Sequence, residues 1–221
     1  MTERWLTFDC YGTLVDWESG LRSAFAALWP EADEDEALRA YLRVEPVIQA
    51  GSSQSYRSVL RSTLEAVADQ TRRAVPAGAS DALAASLPAW PVFPEVPAAL
   101  EAVRGSGWKT AILSNTDPDL LEASIRSIGV PFDLTVTAAD AGGYKPAHGH
   151  WDTFFARSGA GREGHVHVAA SLFHDIAPAA ELGLRTIWVN RAGERSDLPR
   201  EAELPDLSGL PALLSEQNSG R

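Results

Sequence analysis

The chain has 221 residues, of which 45% are hydrophobic and 22% charged, an ordinary composition for a globular protein with a substantial core. Its formal net charge of -11 argues against nucleic acid and anionic membrane surfaces as partners, because an acidic surface repels phosphate. A small anionic substrate remains compatible with this charge if the site itself is locally basic.

The cysteine content and the N-terminal sequence pattern indicate the cellular compartment of the protein. The one cysteine, Cys10, cannot form an intramolecular disulfide and suits a reducing cytosol. The first residues lack the basic-then-apolar pattern of a signal peptide. No apolar run approaches the roughly 20 residues of a membrane span. We therefore expect a cytoplasmic protein.

Five short apolar segments predict buried strands of a parallel α/β sheet, and helical patterns separate the last four, as βαβ units require. In the clearest helix, Asp117 fits the N-cap and Pro118 the first helical position, and Gly129 fits the C-terminal stop. The predicted strands are 5–8, 109–114, 132–138, 165–171 and 185–190.

A different pattern occupies the stretch from Asp16 to about Pro94. Apolar residues recur there at helical spacing and no strand signal appears, so we expect an all-helical insertion after the first strand. Open α/β sheets bind ligands at the carboxyl ends of their strands, which makes a cap over that crevice the natural interpretation. The tail after about Arg191 is rich in Pro, Glu and Ser, and we expect its last residues, 215–221, to be frayed.

Reactive or polar residues stand at or just after the ends of four predicted strands. In a parallel sheet these ends converge on one rim. A carboxylate facing a lysine there stays ionised and can attack an electrophilic carbon or phosphorus, while Ser and Asn side chains can hold an anionic group. Taken singly, these residues have plainer interpretations as a helix cap, a turn or a solvated lysine, but their joint placement favours a site. They are Asp9, Ser114, Asn115, Lys145, Ser171 and Asp175.

Four motifs carry a family resemblance. In order and spacing, "FDCYGTLVD", "ILSNTD", "GGYKP" and "HDIAPAAELGLRTIWVNR" resemble the four motifs of the haloacid dehalogenase superfamily. The resemblance implies a Rossmann-like parallel sheet with helices on both faces, formed by residues 1–16 and 95–221, and a helical cap domain at 17–94. It also implies Asp9 as nucleophile, with Ser114 and Asn115 as substrate-binding residues. Lys145 would be the charge partner of Asp9, and Asp175 the acid of the fourth motif.

Tyr11 and Ser171 separate two chemistries within this superfamily. Its phosphatases carry a second acid at the position of Tyr11, which protonates the leaving alkoxide, and an acid at the position of Ser171, which helps to bind magnesium. A halide needs no proton to leave, and a carboxylate can be held without a metal. The motif "YGTLVD" resembles the L-2-haloacid dehalogenase branch, which implies attack by Asp9 on a 2-haloalkanoate and an aspartyl ester. Thr13 would hold Asp9, and Tyr11 and Ser171 would line the substrate site.

Three features depart from that branch. Its members carry a tyrosine where this chain has Trp151, which we expect to wall the halide pocket with its indole N–H. They carry Ser and Asn where this chain has Ala170 and Leu172, so polar contacts near the ester are lost. The halide-binding cap arginine has no secure counterpart. Arg43 is the first candidate and Arg39 the second, and both fit better as ordinary solvated helix residues.

The histidine pairs give only a weak metal signal. His165 and His167 share one face of a strand, but no carboxylate or cysteine supports the pair His148 and His150 at ligand spacing. His174, beside Asp175, could lie near the chemistry or be structural. We expect no cofactor, and Mg²⁺ only if the chain is a phosphatase.

Two other functions remain open. One is a magnesium-dependent phosphatase, or a related hydrolase of another small acid; the other is a fold of this superfamily kept for partner binding, with weak turnover. A small anionic 2-haloacid is the expected partner, and a homodimer is the assembly left open.

Overall fold

A computed structural model describes residues 3–31, 33–52 and 54–219. Within them, six parallel strands form one sheet in the order β3-β2-β1-β4-β5-β6, with helices packed around it. The predicted parallel α/β fold is confirmed. The strands are β1 (Arg4–Phe8), β2 (Trp108–Ser114), β3 (Leu134–Thr137), β4 (His165–Ala169), β5 (Thr186–Val189) and β6 (Ala202–Leu204).

The central position of β1 determines where the site lies. Strand β1 pairs with β2 on one side and β4 on the other, so that Phe8 is level with both Ile112 and Val168. All three side chains are fully buried, as expected for strands covered on both faces, and this explains the continuous apolar runs in the sequence. The chain order reverses on either side of β1, which makes its carboxyl end the crevice where such sheets bind ligands.

The helices occupy the segments between the strands, except the last helix, which follows β6. They are α1 (Trp17–Leu28), α2 (Glu34–Gln49), α3 (Tyr56–Gln70), α4 (Ala82–Ser86), α5 (Val96–Gly105), α6 (Pro118–Ile128), α7 (Ala138–Ala141), α8 (Gly149–Ser158), α9 (Ala177–Glu181) and α10 (Leu210–Ser219). A single π-helical turn, Leu172–Ile176, precedes α9. None of the described helices is long and apolar enough to cross a membrane.

Helices α1 to α4 form the inserted segment. They pack through side chains that recur at helical spacing, such as Leu21 and Phe25 of α1 and Leu60 and Leu64 of α3, all four of them buried. No strand interrupts the described part of residues 17–89, which agrees with the predicted helical insertion. The domain boundaries at 16/17 and 94/95 stay predictions.

Asp117 connects this segment to the sheet in a way that its sequence position did not indicate. It stands at the N-cap position of α6, and Gly129 ends the helix with φ of 75°, as predicted. Its carboxylate, however, accepts the backbone N–H groups of Tyr56 and Arg57, at 2.9 Å each. Asp117 therefore satisfies free N–H groups in the first turn of α3 and fixes the insertion to the core.

The C-terminal part is more regular than predicted. Strand β6 adds to the sheet edge by pairing with β5, and α10 continues to Ser219 instead of fraying from residue 215. Residues 220 and 221 lie outside the described residues. Three predicted strands also end earlier. Strand β5 stops at Val189 and β4 at Ala169. Strand β3 stops at Thr137, whose side chain forms a capping box with Asp140 that starts α7.

Candidate active site

Asp9 follows directly after β1 and lies at the rim of the sheet. It is 7% exposed, and each carboxylate oxygen accepts one hydrogen bond. Lys145 Nζ donates to Oδ1 at 2.9 Å, and Thr13 Oγ1 donates to Oδ2 at 3.0 Å. The Thr13 oxygen itself accepts the backbone N–H of Ala170 at 2.9 Å. Gly12 allows the turn between Asp9 and Thr13, with φ of 94°. The carboxylate is therefore held from both sides.

Lys145 connects two carboxylates. Besides Asp9, its Nζ donates to Asp175 Oδ1 at 2.6 Å and to the carbonyl oxygen of Leu113 at 2.9 Å, which uses all three of its hydrogens. Burial opposes the charged form of the lysine, but the attraction of the two aspartates outweighs burial and raises the Lys145 pKa. Lys145 is thus a fixed, buried positive charge.

The two aspartates respond differently to this shared cation. Burial raises the pKa of the Asp9 carboxyl, and the charge of Asp175 adds to that effect, while Lys145 and Thr13 oppose it. For Asp175, burial also disfavours the charge, but Lys145 and the hydrogen bond from His167 outweigh burial and lower its pKa far below the usual range. Asp9 is therefore the more basic of the two carboxylates.

Ser114 ends the neighbouring strand β2 and Asn115 follows it, and the two side chains make different contacts. Ser114 Oγ is buried and has no hydrogen-bond partner among the described residues, so it is free to donate to a ligand. Asn115 donates to Gln49 Oε1 at 3.1 Å and to the Lys145 carbonyl at 3.0 Å, and its oxygen accepts the Lys145 N–H at 2.6 Å. In this conformation Asn115 holds the lysine loop, with both amide hydrogens already donated.

A cavity of about 280 Å³ separates this rim from the inserted helices, with room for a small organic acid. Five of its fourteen lining residues are tyrosines or tryptophans from the insertion and from the linking loops. The lining residues are Asp9, Tyr11, Trp17, Tyr41, Glu45, Gln49, Tyr56, Trp90, Ser114, Asn115, Lys145, Ser171, His174 and Asp175.

Tyr11 and Ser171 are both occupied by structural hydrogen bonds. The Tyr11 hydroxyl lies 3.0 Å from Ser124 Oγ, and its ring packs edge-on against Trp90. Burial raises the Tyr11 pKa well above its ordinary value, so Tyr11 stays a neutral phenol. Ser171 Oγ accepts the backbone N–H of His174 at 3.0 Å and lies 3.2 Å from the Nδ1 atom of the same residue.

The side chains of Tyr11 and Ser171 offer no carboxylate oxygen to a metal ion. Mg²⁺ is usually held by one or two carboxylates together with water and substrate oxygens. At these two positions the chain presents a phenol hydrogen-bonded to Ser124 and a hydroxyl hydrogen-bonded to His174. No group of three or more metal-ligating side chains occurs in the part of the chain that the structure describes.

The two arginine candidates lie outside the cavity, which corrects the prediction for Arg43. Its guanidinium donates to Gln70 at 3.2 Å on the exposed side of α2, and Arg39 pairs with Asp33. The reason is helix geometry: Tyr41 and Glu45, one turn apart, face the cavity, and a residue midway between them points away. No arginine lines the cavity among the described residues.

Trp151 is a second correction. Its side chain, on α8, is fully buried and is absent from the cavity wall. The indole packs edge-on against His167, with ring centroids 5.4 Å apart. Trp151 therefore supports a residue behind the site.

Sequence reasoning missed a stripe of polar residues on α2. Tyr41, Glu45 and Gln49 recur every four residues and all line the cavity. Gln49 Nε2 donates to Glu45 at 2.9 Å, and burial raises the Glu45 pKa to about 7. The repeated spacing was the available signal, but only packing shows which side of α2 faces the sheet.

The histidines serve hydrogen bonding. His148 pairs with Glu181 at the surface, and His150 Nε2 donates to the Ser114 carbonyl at 3.1 Å. His165 and His167 both hydrogen-bond Thr7. His174 lines the cavity, and burial lowers its pKa.

Comparisons with known proteins agree with this geometry. Haloacetate dehalogenase H-2 of Moraxella sp. (strain B) is 25% identical over 201 residues, or 85% of this chain and 86% of the relative. (S)-2-haloacid dehalogenase of Pseudomonas sp. (strain YL) is 27% identical over 201 residues, or 85% and 83% of the two chains.

A solved structure extends the similarity to the whole fold. The L-2-haloacid dehalogenase of Xanthobacter autotrophicus, with chloropropionic acid covalently bound, superposes with a TM-score of 0.84 at 20% identity, covering 97% of this chain and 99% of that one. The family model for haloacid dehalogenase-like hydrolases matches residues 4–185. This chain therefore belongs to the haloacid dehalogenase-like hydrolase family.

Proposed function

We propose that the protein is a metal-independent hydrolase that cleaves the carbon–halogen bond of small 2-haloalkanoic acids. The observation that carries this proposal is the combination of a lysine-paired Asp9 with Tyr11 and Ser171 in place of acids. The dehalogenase relatives support the same substrate class. The proposal places the enzyme in the cytoplasm, where its buried free cysteine stays reduced.

In the first step, a carboxylate oxygen of Asp9 attacks C2 of the substrate, and the carbon–halogen bond breaks. An ester bond joins Asp9 to C2, and halide leaves with the bonding electron pair. No proton transfer is needed, which is consistent with a neutral phenol at Tyr11. Ser114 Oγ, free to donate, would bind the substrate carboxylate.

In the second step, water attacks the carbonyl carbon of the ester. Asp175 takes a proton from the water as the new carbon–oxygen bond forms, and the leaving alkoxide then receives that proton. The products are the 2-hydroxy acid and Asp9, which loses its remaining proton to solvent. Asp175 Oδ2 has no hydrogen-bond partner in the part of the chain that the structure describes, and it is the atom available to orient the water.

Halide release tests this proposal. Chloroacetate and both enantiomers of 2-chloropropionate are the substrates to test. For each substrate that is hydrolysed, the rate of chloride release should be the same with a chelator as without it. The phosphatase alternative requires magnesium-dependent hydrolysis of p-nitrophenyl phosphate that the chelator abolishes. Absence of both activities in folded protein would favour the binding-protein alternative, which the apolar residues Ala170 and Leu172 motivate. Light scattering on the same sample tests the homodimer.

A further inference from the structure

A buried line of hydrogen bonds runs behind the site, from β4 through β1 to Asp175. His165 Nε2 lies 2.8 Å from Thr7 Oγ1, which in turn lies 2.8 Å from His167 Nδ1. His167 Nε2 lies 3.0 Å from Asp175 Oδ1. Each of these four residues is fully buried, and of the four only Asp175 lines the cavity. The two histidines and the threonine can therefore act on a substrate only through Asp175.

The direction of this line follows from what each atom can donate. Because Asp175 is a carboxylate, His167 Nε2 must carry the hydrogen between them. If His167 Nδ1 also carried one, Thr7 would accept it and donate to His165 Nε2. The remaining hydrogen would then lie on His165 Nδ1, which has no partner among the described residues.

If His165 Nε2 instead donates to Thr7, and Thr7 donates to His167 Nδ1, then no buried N–H in this line is left without a partner. This direction leaves only an unpaired lone pair on His165 Nδ1, and a buried orphan acceptor is tolerated better than a buried orphan N–H. Burial also lowers the His165 pKa to about 3, which agrees with a neutral ring. The donors therefore run from His165 to Thr7, from Thr7 to His167, and from His167 to Asp175.

This line constrains one oxygen of Asp175 and leaves the other free. Asp175 Oδ1 accepts from both Lys145 and His167, while Oδ2 has no hydrogen-bond partner among the described residues. The His167 ring is itself held between Thr7 and the edge-on indole of Trp151. The Asp175 carboxylate is thus held through Oδ1 by Lys145 on the cavity side and by His167 from behind.

We propose that His167 is a positioning residue that holds Asp175 so that its Oδ2 orients the water that hydrolyses the Asp9 ester. This inference rests on the proposed function. Ester formation uses Asp9 and needs no oriented water, so only the second half of the reaction depends on His167. The expected signature is a covalent enzyme that forms at a normal rate and decays slowly.

Single-turnover kinetics with excess enzyme and chloroacetate separate the two steps. His167→Phe keeps a ring but removes both nitrogens, whereas His167→Gln can still place an N–H near Asp175. We expect His167→Phe to slow ester hydrolysis at least ~100-fold, the scale of general-base catalysis, with chloride release changed less than ~3-fold. The Asp9 peptide should then carry the mass of the ester. His167→Gln should recover at least ~10-fold of the lost rate.

Two further variants complete this experiment: Thr7→Val within the line of hydrogen bonds, and His148→Gln as a surface control. The first removes the hydroxyl that orients His167 while keeping its volume, and should slow the same step by a smaller factor. The second changes an exposed histidine paired with Glu181 and should behave as wild type. Equal slowing of both steps by His167→Phe, with no recovery in His167→Gln, would show a merely structural role and overturn the proposal.

Nitrogen-15 NMR of the histidine-labelled resting protein gives a readout that needs no turnover. We expect the His167 hydrogen on Nε2, with Nδ1 bare. A hydrogen on Nδ1 would overturn the proposal, whatever the activity. If the wild type releases no halide and forms no ester, the proposed function itself fails, and the NMR result still decides the arrangement at His167.

Discussion

The ammonium of Lys145 lies closer to Asp175 than to Asp9, at 2.6 Å from one Oδ1 atom and 2.9 Å from the other. His167 gives Asp175 a further hydrogen bond, whereas Asp9 has Thr13. For Asp9, burial outweighs these contacts and raises the pKa. For Asp175, Lys145 and His167 outweigh burial and lower the pKa. Two carboxylates on one cation thus acquire different basicities, and the more basic one is the better nucleophile.

Asp9→Asn should abolish turnover and leave the fold intact. The amide keeps the volume of the side chain but is not a nucleophile, and Lys145 keeps its pairing with Asp175. Halide release and circular dichroism are the measurements. The surface variant Asp35→Asn is the control. Retention of more than a small fraction of the wild-type rate, with deamidation excluded by mass spectrometry, would show that another residue attacks.

Lys145→Met should destabilise the protein by about 3 kcal/mol or more at neutral pH, because two buried carboxylates lose their cation. In the wild type, the lowered pKa of Asp175 contributes stability above the unfolded value near 3.8, and this is lost as pH falls through the folded pKa. In the variant the carboxylates are unpaired, so acidification should relieve the destabilisation.

Urea denaturation at pH 8 and pH 5 measures this effect. The difference in the free energy of unfolding between wild type and Lys145→Met should be larger at pH 8 than at pH 5. Lys109→Met is a matched control, since Lys109 pairs with Glu3 at the exposed surface, where such pairs contribute little. If this difference in the free energy of unfolding were the same at both pH values, Lys145 would stabilise the fold by packing alone.

Glu45→Gln should stabilise the protein above neutral pH. Burial raises the Glu45 pKa from 4.5 to about 7, so the folded state keeps a proton that the unfolded chain loses. This contribution to stability is complete below pH 4.5 and disappears as pH rises through about 7. The amide avoids the buried charge, and the gain at pH 8 should approach about 3 kcal/mol as an upper limit.

Denaturation curves at pH 4 and pH 8 test the sign of this effect: the two proteins should coincide at pH 4 and separate at pH 8. The exposed Glu65→Gln on α3 serves as the control. Kinetics supply a second readout, because ionised Glu45 repels an anionic substrate, so the KM of the wild type should rise above pH 7 more than that of Glu45→Gln. Stabilisation by Glu45→Gln that is equal at both pH values would contradict the buried-charge explanation.

Much of the fold was predictable because burial on both faces produces uninterrupted apolar runs. Strands β1 and β2 were found in this way, and the rim residues follow from where those runs stop. Strand β6 was missed because it is only three residues long, "AEL", at the sheet edge, where no apolar run is needed.

The part of the site contributed by the insertion was not predictable. Arg43 and Glu45 are two residues apart on one helix, and only tertiary packing decides that Glu45 faces the sheet. The role of Asp117 toward α3 was hidden for a similar reason, since its position fits an ordinary N-cap of α6. Contacts between distant segments leave little trace in local spacing.

Oxygen labelling should distinguish a covalent intermediate from direct attack by water. Asp9 lies at the end of a buried strand with its carboxylate held by Lys145 and Thr13, which orients it to attack a carbon in the cavity. In the covalent route, an Asp9 oxygen enters the product and solvent oxygen enters Asp9 when the ester is hydrolysed. A single turnover with excess enzyme in heavy-oxygen water should therefore give a product with little label and an Asp9 peptide of increased mass. The same incubation without substrate is the control for exchange. Label in the product and none in Asp9 would rule out the ester and make Asp9 a general base.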